Sequence, residues 1–164
     1  MNRREFLKLG AIAGGTFALG PIGRARRGVA AAQAGAIPTV DRLVMTNVVD
    51  NVYDVFAKDG RFGVITVERT RLTPQRTPLL AEHGLAFHLE SLRGSERREI
   101  LLDFSLTDKS LFNNYHALGL EPTGADALIL SHGHADHYGA LPYLAGVSAG
   151  RFKPGLTLYA GGED

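Results

Sequence analysis

The chain has 164 residues, of which 45% are hydrophobic and 21% are charged, a composition typical of one soluble globular domain. It contains no cysteine, which excludes disulfides, thiolate metal sites and cysteine nucleophiles, so any bound metal must be held by His and carboxylate side chains. The first 32 residues carry six basic residues and one acidic residue, so the remainder is net acidic and a poor candidate for nonspecific nucleic-acid binding, which depends on neutralising phosphates.

The N-terminal segment has the parts of an export signal. A basic start with Arg3-Arg4 is followed by a short apolar run rich in Gly and Ala, and small residues stand near candidate cleavage points after Ala32 or Ala34. The arginine pair with the Phe6-Leu7-Lys8 that follows resembles a twin-arginine signal, an address that the export machinery reads. Because Gly and Pro interrupt the apolar run, a membrane-spanning helix is not expected.

Residues 1–34 are accordingly predicted to be a twin-arginine-type signal peptide with its linker, separate from the folded domain. The protein is expected to meet the twin-arginine export machinery, to touch the membrane only transiently during export, and to act in the periplasm or outside the cell. A mobile basic tail or an uncleaved anchor is the alternative.

The folded part is predicted to begin with strands. Residues 43–49 are apolar and β-branched, which predicts a strand that ends at the polar Asp50-Asn51. Residues 60–80 are irregular and contain Pro74 and Pro78, which indicates a surface loop with a short strand at 64–67. Two further strands, at 85–92 and 99–103, flank the turn formers Arg93-Gly94-Ser95 and therefore predict a hairpin.

A helix is predicted after the hairpin. Asp108 can cap it, Gly119 can end it, and apolar residues at helical spacing give it one hydrophobic face. That face consists of Leu111, Phe112, Tyr115 and Leu118.

The last part of the chain is predicted to be strand, helix and strand. Residues 127–130 are fully apolar, which is typical of a strand buried on both faces. A helix is expected from Asp136 to Leu144, ended by Gly146, and residues 156–159 give the last strand. This order of elements indicates an α/β fold, one half of an α/β sandwich.

The segment SHGHADH, residues 131–137, combines metal-ligand side chains in a sharp turn between a strand and a helix. His132 and His134 are two residues apart and can face one ion, while Asp136 and His137 can face a second point. Imidazole and carboxylate suit zinc, and also manganese or iron. The alternative is a solvated His-rich loop without a role, which the position after a buried strand disfavours.

This segment resembles the HxHxDH signature of the metallo-β-lactamase superfamily. The resemblance covers residues 41–164 and implies the N-terminal half of a metallo-β-lactamase αβ/βα sandwich, truncated at its C-terminus, with a binuclear zinc site at its edge. Carried over by position, His132 and His134 serve the first metal, and Asp136 and His137 the second. In that family a later His, a bridging Asp and a further His complete the site, and no His follows His137 here.

Three further segments resemble the branch similar to the dihydropterin synthase of methanopterin biosynthesis: residues 49–51, 79–85 and 100–103. That branch usually has Thr-Gly after the aspartate, where this chain has Phe104-Ser105, and it tends to carry Asn near the positions of Asn113 and Asn114.

Three polar residues are candidates to support the ligands or to line the pocket, and the remaining histidines are expected to be structural. The candidates are Asp103, His83 and Asn51, with a surface turn as the alternative for His83. The histidines in the middle of secondary structure are His88 and His116.

If the site is completed, the ions would activate a water and stabilise developing negative charge, which implies metal-assisted hydrolysis of a small ester, lactone, amide or phosphoester. Asp136 would be a ligand and the catalytic residue that orients the water or accepts its proton. One alternative is a transferase or synthase that acts on a pterin-like substrate, which export disfavours. Others are a non-catalytic binding module and a truncated, inactive fragment; the 164-residue chain alone is expected to be inert and poorly stable.

Overall fold

The computed structural model describes residues 38–70 and 77–161. The predicted signal peptide, residues 1–34, lies outside this range, as does Pro74. Within the described part, no helix is long and apolar enough to cross a membrane.

Among residues 38–70 and 77–161, seven strands form one large sheet and one small hairpin. The five-stranded sheet has the order β1-β4-β5-β6-β7, and β2 pairs with β3 separately. Pairing is antiparallel from β1 through β4 to β5 and parallel from β5 through β6 to β7. The strands are β1 (Arg42–Val49), β2 (Gly60–Phe62), β3 (Ile65–Val67), β4 (Ala86–Arg93), β5 (Glu96–Leu102), β6 (Ala127–Leu130) and β7 (Thr157–Ala160).

In the part of the chain that the structure describes, three helices accompany the sheet: α1 (Asp108–Leu118), α2 (Ala135–Tyr138) and α3 (Leu141–Val147), with a 3₁₀ turn at Pro122–Gly124. The predicted α/β class is therefore confirmed. The strand at residues 43–49, the hairpin around Gly94 and the helix that Gly119 ends are confirmed as well.

The structure corrects several details. Thr107, not Asp108, is the N-cap residue of α1, and Asp108 lies in the first turn. The single helix predicted from Asp136 to Leu144 is two helices, because Pro142 lacks a backbone N–H and begins a new helix instead of continuing one. Strand β6 is not buried on both faces, since only Leu128 is fully buried, and β2 was not predicted.

The hydrophobic core lies between the sheet and α1. Alternate residues of a strand point to opposite faces, and one face supplies Ala86, Leu101 and Leu128, all buried. From the helix, Leu111 and Tyr115 are buried in the same cluster. This packing fixes the carboxyl ends of β5 and β6 side by side, since they are parallel neighbours.

Candidate metal centre

The turn after β6 brings the four predicted ligands together. The ring centroid of His132 lies 4.5 Å from that of His134 and 4.0 Å from that of His137. The Oδ2 atom of Asp136 lies 3.7 Å from Nε2 of His137. His134 ends the extended segment as the N-cap residue of α2, and Asp136 and His137 lie within that short helix. The change from extended chain to helix therefore groups all four side chains.

Asp103 supports this turn from the end of β5. Its carboxylate accepts hydrogen bonds from the backbone N–H of Ser131 at 2.8 Å, from the Ser131 hydroxyl at 2.7 Å and from Nδ1 of His137 at 2.7 Å. Only 2% of the Asp103 side chain is exposed. Because a carboxylate only accepts, Nδ1 of His137 carries the proton and its Nε2 is left for a ligand.

Ser131 orients a second imidazole. Its hydroxyl donates to Asp103, so the same oxygen can accept from Nδ1 of His132, which lies 3.0 Å away. Ser131 therefore connects Asp103 to His132, whereas Asp103 bonds His137 directly. Ser131 was not among the residues predicted to build the site, although it stands directly between the strand and the first histidine.

Asn51 and His83 reach the turn from two other segments. Nδ1 of His83 lies 3.0 Å from Oδ1 of Asn51, and Nε2 of His83 lies 3.4 Å from Oδ2 of Asp136. His83 keeps 74% of its side chain exposed. Of the three pocket candidates from the sequence, Asp103 and His83 thus lie beside predicted ligands, and Asn51 contacts His83.

The backbone around Gly84 fixes the turn from behind. Leu85 N–H donates to the carbonyl of Asp136 at 3.1 Å, and Phe104 N–H donates to the carbonyl of His137 at 2.6 Å. A Cβ atom on Gly84 would lie 3.0 Å from the Asp136 carbonyl oxygen and 2.9 Å from Leu106 N, so only glycine fits there.

Glu82 is a structural residue of the centre that sequence analysis missed. Its carboxylate accepts from the hydroxyls of Ser105 and Thr107 and from the backbone N–H of Thr107, at 2.6 to 2.9 Å. Burial by itself would raise the pKa of Glu82, but hydrogen bonds from Ser105, Ser110 and Thr107 outweigh it and lower that pKa. The ionised carboxylate thereby ties the loop before β4 to the start of α1.

Asn114 and His88 have structural surroundings. Asn114 is buried and bonds the backbone of Val48 and Leu80, which joins the end of β1 to the loop before β4. His88 is buried in β4 with its ring edge against Tyr115, which agrees with the structural role predicted for it. His116, in contrast, is exposed on α1.

The chemistry of the grouped donors fits a transition-metal ion, since three imidazoles and a carboxylate suit zinc, manganese or iron. Within residues 38–70 and 77–161, no three His, Asp or Glu side chains already surround a common point as an ion requires. The donor side chains are therefore of the right chemical type and lie near one another, and they must move closer together to surround an ion.

Comparison with known proteins gives two findings. Residues 91–149 match the family model of the metallo-beta-lactamase superfamily. The chain is also similar to the 7,8-dihydropterin-6-methyl-4-(beta-D-ribofuranosyl)-aminobenzene-5'-phosphate synthase of Methanocaldococcus jannaschii, with 34% identity over 65 residues. This stretch is 40% of the chain and 22% of the length of that synthase. Residues 91–149 therefore match the metallo-beta-lactamase superfamily, and the mixed α/β sheet that contains them is consistent with a partial metallo-beta-lactamase fold.

Proposed function

We propose that this chain carries part of the active site of an exported, metal-dependent hydrolase of the metallo-beta-lactamase superfamily. The observation that supports this most is the grouping of three imidazoles and one carboxylate in the turn that follows β6. This turn lies inside the matched residues 91–149 and beside the buried Asp103. Zinc is the proposed metal, with two ions and with manganese or iron as alternatives.

Each side chain has a proposed role. His132 and His134 would hold the first ion, and Asp136 and His137 the second; other donors would have to complete both sites. A bound metal would lower the pKa of a water and polarise the bond to be broken. Asp103 fixes the tautomer of His137, and Asp136 would orient the attacking water or accept its proton.

A synthase or transferase that acts on a pterin-like substrate is the second candidate. The similarity to the Methanocaldococcus jannaschii synthase favours it. The two candidates differ in what they consume, because a hydrolase needs only water and one small substrate. Turnover of an ester, lactone or phosphoester without a second organic substrate would support hydrolysis.

Metal analysis tests the proposed centre. The full chain loaded with zinc should lose the first ion when His132 and His134 are both changed to Ala. His116→Gln is the matched control, since it removes an exposed histidine of α1. An unchanged zinc content in the double variant would contradict the ligand assignment.

Export is tested separately. The Arg3-Arg4 pair supports a twin-arginine signal, so changing both residues to Lys should leave the protein in the cytoplasm, as seen by cell fractionation. Normal accumulation of this variant outside the cytoplasm would instead favour a general secretory signal.

A further inference from the structure

One carboxylate oxygen faces two imidazoles. Oδ2 of Asp136 lies 3.4 Å from Nε2 of His83 and 3.7 Å from Nε2 of His137. The two histidines come from distant parts of the chain, one from the loop before β4 and the other from α2. His83 also lies outside the matched residues 91–149, so the family match says nothing about it.

The Nδ1 atoms of both rings already have acceptors. His83 Nδ1 faces Oδ1 of Asn51 at 3.0 Å, and His137 Nδ1 faces Oδ2 of Asp103 at 2.7 Å. Carboxamide and carboxylate oxygens only accept, so each Nδ1 carries the ring proton. A neutral ring of this tautomer has a lone pair on Nε2.

Two nitrogen lone pairs, on Nε2 of His83 and Nε2 of His137, therefore lie near one carboxylate oxygen, Oδ2 of Asp136. Such an arrangement is unfavourable unless a cation lies among the atoms. Their spacing agrees with this. Donor atoms at about 2.0–2.1 Å from a tetrahedral zinc lie about 3.4 Å from one another, close to the two separations observed here.

We propose that His83 is a ligand of the ion held by Asp136 and His137, and that Asn51 positions His83 by fixing its tautomer. This inference rests on the proposed metal-dependent function and adds a ligand to it. The three side chains do not yet surround a common point in the described residues. Because most of the His83 side chain is exposed, it can move onto an ion with little loss of packing.

Zinc affinity of the full chain, measured by competition with a chromophoric chelator, tests the assignment. His83→Gln should weaken binding of one zinc at least roughly 10- to 100-fold, because removal of even a partner behind a ligand has that effect. Asn51→Ala should weaken it less. His116→Gln should leave the affinity unchanged.

Nitrogen-15 spectra of the imidazoles give a second measurement that a structural role would not affect. Zinc should shift the Nε2 signal of His83 together with that of His137. An unmoved His83 signal and an unchanged affinity in His83→Gln would overturn this inference and leave the proposed function standing. A wild-type chain that binds no zinc would contradict the proposed function as well.

Discussion

Gly84 shows how one residue without a side chain controls the centre. Its Cα lies so close to Leu106 N and the Asp136 carbonyl oxygen that a methyl group would push against backbone on both sides. Gly84→Ala should destabilise the fold by about 1–3 kcal/mol, the usual effect of overpacking, and should weaken metal binding because Asp136 must shift.

Chemical unfolding together with zinc titration of the same samples checks this expectation. Gly146→Ala is the matched control, since a Cβ there meets open space and alanine favours helix α3. Equal stability and equal zinc affinity of the two variants would refute the argument.

Ser105 gives a second case at the scale of single residues. Asp103 and Ser105 both have positive φ, at 59° and 60°. They lie in the segment where the dihydropterin synthase-like branch usually has Thr-Gly after the aspartate. A left-handed backbone at non-glycine residues costs about 1–3 kcal/mol and persists only where the surroundings hold it. Here the Ser105 hydroxyl bonds Glu82 at 2.6 Å and the Asp103 carboxylate bonds Ser131 and His137, so the strained segment is fixed on both sides.

At the scale of elements, the packing of α1 on β4 has a pH dependence. Burial lowers the pKa of His88, and the nearby carboxylates of Glu99 and Glu90 offset only part of this decrease. Its Nδ1 is buried without a hydrogen-bond partner. Between its ordinary pKa of 6.5 and its lower folded value, the unfolded chain binds the proton and the folded chain does not.

Stability should therefore be complete above pH 6.5 and fall below it, by at most about 1.4 kcal/mol per pH unit from this one group. Thermal unfolding at pH 8 and pH 5.5 measures the loss. His88→Gln should reduce the difference between the two conditions, and His116→Gln should preserve it. The same difference in all three proteins would show that His88 is not its source.

Local patterns in the sequence predicted most elements. The loose alternation in β4, the apolar run in β5, the turn at Gly94 and the Gly119 that ends α1 are all local signals, and the structure confirms these elements. Pro142 was a local signal as well, but the hydrophobic pattern across it predicted one continuous helix where there are two.

The contacts that build the centre were less accessible to sequence reasoning. His137 and Asp103 are 34 residues apart, and Asn51 and His83 are 32 apart. Position after a strand made Asp103 a candidate, yet its bonds depend on the parallel pairing of β5 with β6. Glu82 had no distinguishing pattern, because its partners are hydroxyls and a backbone N–H that only the fold brings near.

At the scale of the whole sheet, the face opposite the core exposes large apolar side chains. Met45 on β1 and Tyr159 on β7 each have 59% exposure, and Leu43 has 57%. Both outer strands, β1 and β7, are edges of the sheet in the described part of the chain. Exposed apolar surface and open edges favour association between molecules.

Met45→Lys should therefore reduce self-association, because it places a charge on both the apolar face and an edge strand. Sedimentation velocity over a range of concentrations measures the effect. Ser95→Lys, in the exposed turn between β4 and β5, adds the same charge elsewhere and should change little. Equal self-association of both variants would mean that this face is not responsible.

The irregularity of β1 makes the centre depend on chain length. Asn47 pairs with Phe87 and Val49 pairs with Ala86, so Val48 is an extra residue between two successive pairs. Deleting Val48 would restore regular pairing and remove the carbonyl oxygen that accepts the Asn114 side-chain amide, a bond that joins β1 to the loop that carries His83. A shortened chain could therefore keep its sheet and lose this bond to the loop before β4, and homologous chains should tolerate changes of side chain at this position more readily than changes in the number of residues.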